Sequence, residues 1–137
     1  MNSRAYCGKR VMAMDARINP HKVLLVEDEP LVAMMIEDML MHLGYKAPVI
    51  LSHVDDAVRA AKEGLIDLAI LDVHVSGDFV FPVADALTER GVPFLFATGR
   101  GEKDIPPAHR HRPLLSKPFA AESLAQALER LEHETAA

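Results

Sequence analysis

The chain is poor in cysteine, in aromatic side chains and in long apolar runs. Its one cysteine, Cys7, cannot form a disulfide within the chain, and no cysteine and histidine spacing typical of a zinc site occurs. We therefore expect a reducing compartment, and the cytoplasm fits best. The longest apolar stretches, near 68–71 and 79–83, are far shorter than the roughly 18 residues that cross a bilayer. Neither a transmembrane helix nor a membrane partner is expected.

Positive charge is also limited. The 137 residues include 15 Lys and Arg against 20 Asp and Glu, a net charge of -5. No basic run is long enough to follow a nucleic-acid backbone, and no Gly-x-Gly-x-x-Gly pattern follows a strand-like run. We therefore expect neither nucleic acid nor a dinucleotide as a ligand.

The length and the 50% hydrophobic content predict one folded domain with an extension before it. Residues 1–19 carry scattered Arg and Lys, but their short apolar stretch is interrupted by Asp15, which argues against a secretory signal. We interpret residues 1–19 as a flexible N-terminal extension and residues 20–137 as the domain. Two alternatives stay open: a basic arm that docks a partner, and a later start of translation at Met12 or Met14.

From Lys22 onward, short apolar runs alternate with amphipathic stretches. Helices are predicted after the first, second, third and fifth runs, and Ser52 with Asp55 has the spacing of a capping box. Apolar strands that alternate with helices are typical of an α/β, doubly wound parallel sheet. The five predicted strands are 23–26, 49–51, 65–71, 92–97 and 114–116.

The stretch 98–113 breaks this alternation. It contains two glycines and the pair Pro106-Pro107, and it has no apolar stripe. We predict an irregular loop with at most one helical turn where a fourth helix would otherwise lie. Within it, His109, Arg110 and His111 are interpreted as an exposed polar segment, with a metal or phosphate clamp as the alternative.

Chemically distinctive residues stand at the carboxyl ends of four predicted strands: Glu27 and Asp28, then Asp72, Thr98 and Lys117. In doubly wound sheets, ligands bind at this edge. Three carboxylates against one ammonium leave a local charge of about −2, and like charges about 4 Å apart repel by roughly 4 kcal/mol. Such a cluster favours a divalent cation, and its oxygen ligands favour Mg²⁺.

In this order the motifs resemble those of the receiver domains of two-component response regulators, the CheY-like fold with strand order 2-1-3-4-5. The resemblance covers about Lys22 to Glu134. It rests on Val-Glu-Asp-Glu at 26–29, Leu-Asp at 71–72, Thr98 after an apolar strand, and Lys-Pro-Phe at 117–119.

The resemblance implies that Asp72 is a nucleophile that takes a phosphoryl group from a sensor histidine kinase or a histidine phosphotransfer protein. Thr98 would then hydrogen-bond a phosphoryl oxygen and Lys117 would form an ion pair with the same group, its bond to Pro118 often being cis. Phosphoryl transfer needs positioning and charge neutralisation, which a metal and a lysine supply. The implied Mg²⁺ ligands are Glu27, Asp28, Asp72 and the backbone carbonyl of His74.

A narrower resemblance is to the alphaproteobacterial single-domain regulators called FATGUY proteins. It rests on the stretch 78–87 and on Phe-Ala-Thr-Gly at 96–99. That group usually has an aromatic residue within two positions after the glycine, where this chain has Arg100 and Gly101. Typical receivers also carry Tyr or Phe as a rotameric switch at the position of Leu114. We therefore expect the backbone of the 98–113 loop to be the moving part.

The first predicted helix has a second apolar face, opposite its core stripe. Receivers meet their kinase or phosphotransfer partner through this helix, and methionine adapts readily to different surfaces. Scattered surface methionine is the alternative interpretation. The predicted docking residues are Leu31, Met34, Met35 and Asp38.

Two other functions share part of the pattern. A haloacid-dehalogenase-like phosphatase uses a similar residue set, but its second Asp follows the nucleophile by two residues, where this chain has His74. A pseudo-receiver that only binds partners would not need the intact acids, Thr98 and Lys117. Because 3 residues follow Glu134, we expect no output domain. A phosphoacceptor that dephosphorylates itself slowly is expected rather than an enzyme, signalling to an unknown downstream protein or acting as a phosphate sink.

Overall fold

The computed structural model describes residues 21–136, so the predicted extension at 1–19 lies outside the described residues. Within that range the chain forms seven strands and four helices. In chain order they are β1 (Val23–Val26), α1 (Pro30–His42), β2 (Val49–Leu51), α2 (Val54–Lys62), β3 (Leu68–Asp72), β4 (His74–Val75), β5 (Asp78–Phe79), α3 (Phe81–Glu89), β6 (Phe94–Thr98), β7 (Leu114–Ser116) and α4 (Ala121–Ala136).

Five of these strands form one parallel sheet in the order β2-β1-β3-β6-β7, while β4 and β5 form a separate antiparallel hairpin. Without the hairpin this is the order 2-1-3-4-5, so the predicted doubly wound fold is confirmed. The register places Val26 beside Leu71, Asp72 beside Ala97 and Thr98 beside Ser116. The carboxyl ends of four strands therefore meet at one edge.

The core has two apolar layers, one on each face of the sheet. Successive side chains of a strand point to opposite faces, so Leu24 packs with α2 and α3, whereas Leu25 packs with α1 and α4. Both layers are continuous along the sheet, which explains why the strands are apolar throughout. The sheet is thereby held rigidly under the edge where the charged residues lie.

The observed helix ends agree in part with those predicted from the sequence. Gly44 and Gly64 follow α1 and α2 with φ of 99° and 81°, a conformation that glycine adopts without steric cost. The predicted capping box is wrong: the residue that caps α2 is His53, and its side chain makes no capping hydrogen bond. Ser52 lies one residue too early, and its hydroxyl is 3.2 Å from His53 Nδ1.

The third strand begins three residues later than the apolar run at 65–71 predicts, because Leu65 belongs to the connection after α2 and is 61% exposed. Asp67 marks the true entry: its backbone N–H donates to Lys22 O at 2.8 Å, and its carboxylate accepts from Lys22 N at 2.7 Å. Pairing with β1, rather than hydrophobicity alone, sets the start of the strand.

The loop 98–113 is irregular, as predicted, with a single 3-10 turn at Pro107–His109. Arg110 and His111 are exposed, but the expectation of an exposed His109 is wrong, since it is buried. Between Gly99 and Arg112 the buried residues are Ile105 and His109. Within residues 21–136 no helix has the length and apolarity needed to cross a membrane.

Candidate functional site

The site lies where β1, β3, β6 and β7 end. Two backbone hydrogen bonds extend the sheet one residue beyond its strands: Glu27 N donates to Leu51 O at 3.0 Å, and Lys117 N donates to Thr98 O at 2.8 Å. These bonds fix the backbone of the residues whose side chains form the site. The peptide bond between Lys117 and Pro118 is cis, as the resemblance to receivers implies.

Lys117 joins two of the predicted site carboxylates. Its Nζ lies 2.6 Å from Glu27 Oε1 and 3.2 Å from Asp72 Oδ2. Glu27 is 2% exposed, and its other oxygen accepts a hydrogen bond from Glu29 N at 3.1 Å. A buried carboxylate is tolerated when it is paired and hydrogen-bonded in this way.

Asp28 is held by the turn between β4 and β5. Its Oδ2 accepts a hydrogen bond from Ser76 N at 2.8 Å, and the Ser76 hydroxyl donates to Ser52 O at 2.6 Å. Ser76 has a φ of 51°, uncommon for a residue other than glycine. The hairpin thus orients Asp28 at the edge of the sheet.

The three predicted metal-binding carboxylates converge. One oxygen from each of Glu27, Asp28 and Asp72 lies within 4.8 Å of the others. These donors are all oxygens and Asp28 is partly exposed, so the set fits Mg²⁺, which takes one or two carboxylates and keeps several waters. His74 begins β4, two residues after Asp72, and its carbonyl stays a predicted ligand.

The electrostatics of the site favour a cation. Burial and the charge of Glu27 raise the pKa of Asp72 to about 6, although Lys117 acts in the opposite direction. Burial lowers the pKa of Lys117, but its hydrogen bond to Glu27 and the charge of Asp72 outweigh burial and raise it above the usual value. One ammonium group therefore compensates the carboxylates incompletely.

Thr98 ends β6 and is buried. Its Oγ1 accepts a hydrogen bond from Arg100 N at 3.1 Å. The hydroxyl that the resemblance assigns to a phosphoryl oxygen is thus engaged with the first residues of the 98–113 loop.

Helix α1 presents the predicted docking residues to solvent. Leu31 is 77% exposed and Met34 is 61% exposed, and Met35 and Asp38 are also exposed. The opposite face buries Ala33, Ile36 and Leu40 against the sheet. The docking role stays a prediction.

Several proteins of known structure share this fold. SdrG from Sphingomonas melonis Fr1 is 42% identical, with a TM-score of 0.74, over 82% of this chain and 97% of SdrG. The signal receiver domain of a modulated diguanylate cyclase from Desulfovibrio desulfuricans G20 is 30% identical, with a TM-score of 0.73, over 85% of this chain and 96% of that chain. The chain belongs to the receiver domain family of response regulators. The family predicted from the sequence is confirmed.

Two further comparisons involve more distant proteins. The receiver domain of the sensor histidine kinase PA1611 from Pseudomonas aeruginosa PAO1, solved with magnesium in its active-site cleft, is 25% identical over 82% of this chain and 98% of that chain, with a TM-score of 0.70. The transcriptional regulatory protein PdtaR of Mycobacterium tuberculosis is 28% identical over 80% of this chain. The chain spans about half the length of that curated relative, 56%. No protein-family model matches the chain.

Sequence reasoning missed three residues around this receiver site. Ser76 fixes Asp28, and the Ser-Gly-Asp sequence at 76–78, which is typical of a turn, was the available signal. Asp104 Oδ2 lies 3.5 Å from His74 Nε2, and His109 is a buried residue of the 98–113 loop. The sequence gives no sign of these two contacts, because both depend on the path of an irregular loop.

Proposed function

We propose that this receiver accepts a phosphoryl group on Asp72 and signals through contacts with other proteins. The observation that carries the proposal is the position of Lys117 Nζ, 2.6 Å from Glu27 and 3.2 Å from Asp72 at the carboxyl edge of the sheet. Asp72 is half-buried beside a cation that does not fully compensate the acidic charge. The remaining negative charge favours a divalent cation, and Lys117 together with that cation would neutralise the phosphoryl group that Asp72 receives.

The donor would be a phosphohistidine of a histidine kinase or a phosphotransfer protein. Its P–N bond breaks while a P–O bond forms to an Asp72 carboxylate oxygen, and the electron pair of the broken bond goes to the imidazole nitrogen, which is then protonated. Lys117 already contacts Asp72 and remains in range of the new group. Transfers of this kind depend on positioning and charge neutralisation more than on covalent help from the protein.

Glu27, Asp28 and Asp72 would hold Mg²⁺, together with the carbonyl of His74. When bound, the ion supplies positive charge beside the phosphoryl oxygens. Asp28 is prepared for this role, because Ser76 orients one of its oxygens and its side chain is partly exposed. The magnesium in the PA1611 receiver supports the assignment.

Thr98 would report the modification. Its hydroxyl oxygen accepts from Arg100 N in this structure, and its hydroxyl proton would be donated to a phosphoryl oxygen, a charged acceptor. Movement of Thr98 would then be passed to the 98–113 loop, whose surface would bind or release a downstream protein. The alternative output is a phosphate sink for the kinase.

The exposed face of α1 would receive the phosphodonor protein. Leu31, Met34 and Met35 provide an apolar surface at the helix that follows Glu27 and Asp28 in the chain. Because α1 begins three residues after Glu27, a partner docked on this helix lies next to the phosphoacceptor edge. Asp38 would add a polar contact at the margin of the surface.

The proposal is tested by incubation with acetyl phosphate and Mg²⁺, followed by intact-protein mass measurement. We expect one phosphoryl group on the wild type and none on Asp72→Asn, while Asp78→Asn, which alters an exposed acid of the hairpin, behaves as the wild type. Equal modification of wild type and Asp72→Asn would overturn the assignment. Rapid multiple turnover of phosphate monoesters would favour the phosphatase interpretation instead.

A further inference from the structure

The buried histidine of the 98–113 loop is held by an exposed carboxylate of the neighbouring helix. His109 is 4% exposed, and its Nε2 lies 2.8 Å from Oδ1 of Asp85 on α3, whose side chain is 73% exposed. An ionised carboxylate can only accept, so Nε2 carries the hydrogen. His109 Nδ1 is buried and has no hydrogen-bond partner within residues 21–136.

A continuous set of ring contacts connects His109 with the hairpin that follows Asp72. The His109 ring stacks on Phe81 with centroids 6.5 Å apart, Phe81 stacks on Phe79 at 5.4 Å, and Phe79 contacts the His74 ring at 4.7 Å. Phe96 lies at the buried end of this set of rings, and its ring centroid is 6.2 Å from that of His109. We call His74, Phe79, Phe81 and His109 the ring path.

The two ends of the ring path also meet through the loop. His74 Nε2 lies 3.5 Å from Asp104 Oδ2, and Asp104 precedes His109 by five residues in the same loop. The hairpin and the loop are therefore joined at one point by a polar contact between His74 and Asp104 and at another by stacked rings. A displacement of the hairpin backbone after Asp72 must act on the loop through these contacts.

We propose that His109 is the positioning residue of the 98–113 loop and that the ring path couples it to the phosphorylation state of Asp72. In this chain the path takes the place of the aromatic switch, because Leu114 stands at the switch position. His109 Nδ1 has no hydrogen-bond partner within residues 21–136, so a displacement of the ring that brings Nδ1 to a polar group would gain a hydrogen bond. The coupling rests on the proposed phosphorylation of Asp72, whereas the anchoring role of His109 does not.

The anchor is tested without any phosphodonor, by amide hydrogen exchange. Reporter amides are those of Arg110 and Arg112, which donate to Pro107 O at 3.3 Å and to His109 O at 3.2 Å. In Asp85→Ala we expect their exchange to accelerate by roughly tenfold or more, with amides of β1 and β3 unchanged. Asp85→Asn, which keeps an acceptor for Nε2, should restore most of the protection.

Glu89→Ala is the matched control, because it removes another exposed carboxylate from the same helix. It should leave the reporter amides unchanged. Exchange of Arg110 and Arg112 that is the same in Asp85→Ala as in the wild type would overturn the anchoring role.

The coupling is tested by backbone NMR with Mg²⁺ and beryllofluoride, an acyl-phosphate mimic. In the wild type we expect shifts at Asp72, at Lys117 and in residues 104–112. In Phe81→Leu, and separately in Phe79→Leu, which replaces a ring that is 48% exposed, the shifts at Asp72 and Lys117 should persist while those in 104–112 fall by at least about half.

Each outcome of this experiment is decisive. Loop shifts of wild-type size in either variant would overturn the ring path. If the wild type shows no shift at Asp72 or Lys117 with saturating beryllofluoride, the proposed phosphorylation fails and the coupling fails with it. The exchange measurements on Asp85→Ala still decide the anchoring role in that case.

Discussion

The two sides of Asp72 are built differently. On one side, β1 leads into α1, a helix of 13 residues that buries Ala33, Ile36 and Leu40 against the sheet. On the other side, β6 leads into the 98–113 loop, where Ile105 and His109 provide the buried contacts between Gly99 and Arg112. Segments with few buried contacts open at lower free energy than packed helices. The α1 side is therefore the fixed side of the receiver, and the loop side is the adjustable one.

The polar groups follow the same division. On the fixed side, both oxygens of Glu27 are hydrogen-bonded, and Asp28 is held by Ser76. On the adjustable side, the Thr98 hydroxyl bonds to the backbone of the loop that begins beside it. The fixed side is suited to hold a metal in constant geometry, and the adjustable side is suited to respond to what binds there.

The largest expected effect comes from truncating a buried isoleucine to alanine on each of the two sides. Ile36 in α1 and Ile105 in the loop are each 2% exposed. Ile36→Ala should lower the free energy of unfolding by about 2–5 kcal/mol. Ile105→Ala should cost roughly half as much, because an irregular loop can collapse into the space or open locally. Urea unfolding followed by circular dichroism measures both, and an equal or larger loss in Ile105→Ala would remove the distinction between the sides.

The second prediction concerns the residue between the two sides. The pKa of Asp72 is raised to about 6 in the folded protein by burial and by Glu27, above its value near 4 in an unfolded chain. Ionised Asp72 therefore costs stability, in full above about pH 6, and the cost disappears as the pH falls toward 4. Asp72→Asn should raise the free energy of unfolding by about 1–3 kcal/mol at pH 8 without metal, and by little at pH 4.5.

This prediction is checked by urea unfolding in a chelator at both pH values. Asp78→Asn, at an exposed hairpin position, serves as the control and should change stability little at either pH. A destabilised Asp72→Asn at pH 8, or a gain that grows as the pH falls, would contradict the electrostatic account of the site.

The third prediction separates metal binding from the response. Asp28→Ala removes a carboxylate of the fixed side and should weaken Mg²⁺ binding roughly tenfold, an effect comparable with the loss of groups that support a metal ligand. Thr98→Val keeps the shape of the side chain and should leave the affinity within about twofold, since Thr98 is not a ligand. Calorimetric titration compares the two variants with the wild type. Unchanged affinity in Asp28→Ala would show that the carboxylate cluster is not the metal site.

The smallest expected effect concerns the exposed face of α1, where the phosphodonor protein would dock. Met34→Lys places a charge in the exposed apolar face and should slow phosphotransfer from a phosphorylated histidine kinase by about tenfold or less, as for one contact at an interface. Phosphorylation by acetyl phosphate should be unchanged, because the small donor does not use α1. Radiolabel transfer measures the first rate and intact mass the second. An equal loss of rate with the histidine kinase and with acetyl phosphate would indicate damage to the phosphorylation site itself.

Most of the fixed side could be predicted from the sequence. Its strands are apolar throughout, and the stripe of α1 has helical periodicity. Parallel strands also bring Glu27 and Asp28 of this side to the same edge as Asp72 and Lys117. The exposure of Met34 and Met35 followed from the same periodicity. These features are local, or they follow from the order of the strands.

The adjustable side could be predicted only as an absence of regular structure. The burial of His109 could not be read from the sequence, because it depends on Phe81 and Phe96 in distant elements and on Asp85, an exposed residue of α3. The same is true of the start of β3 and of the missing cap at Ser52. The start of β3 depends on hydrogen bonds between Asp67 and Lys22, and the cap is missing because α2 begins one residue later than the Ser52 spacing predicts.

The central claim is that Asp72 is the phosphoacceptor, and borohydride trapping tests it most directly. Borohydride reduces an aspartyl phosphate to homoserine, which peptide mass spectrometry locates by position. After treatment with acetyl phosphate and Mg²⁺, we expect homoserine at residue 72, and none when the phosphodonor is omitted. Homoserine at Asp28 or at another aspartate, with residue 72 unchanged, would contradict the account.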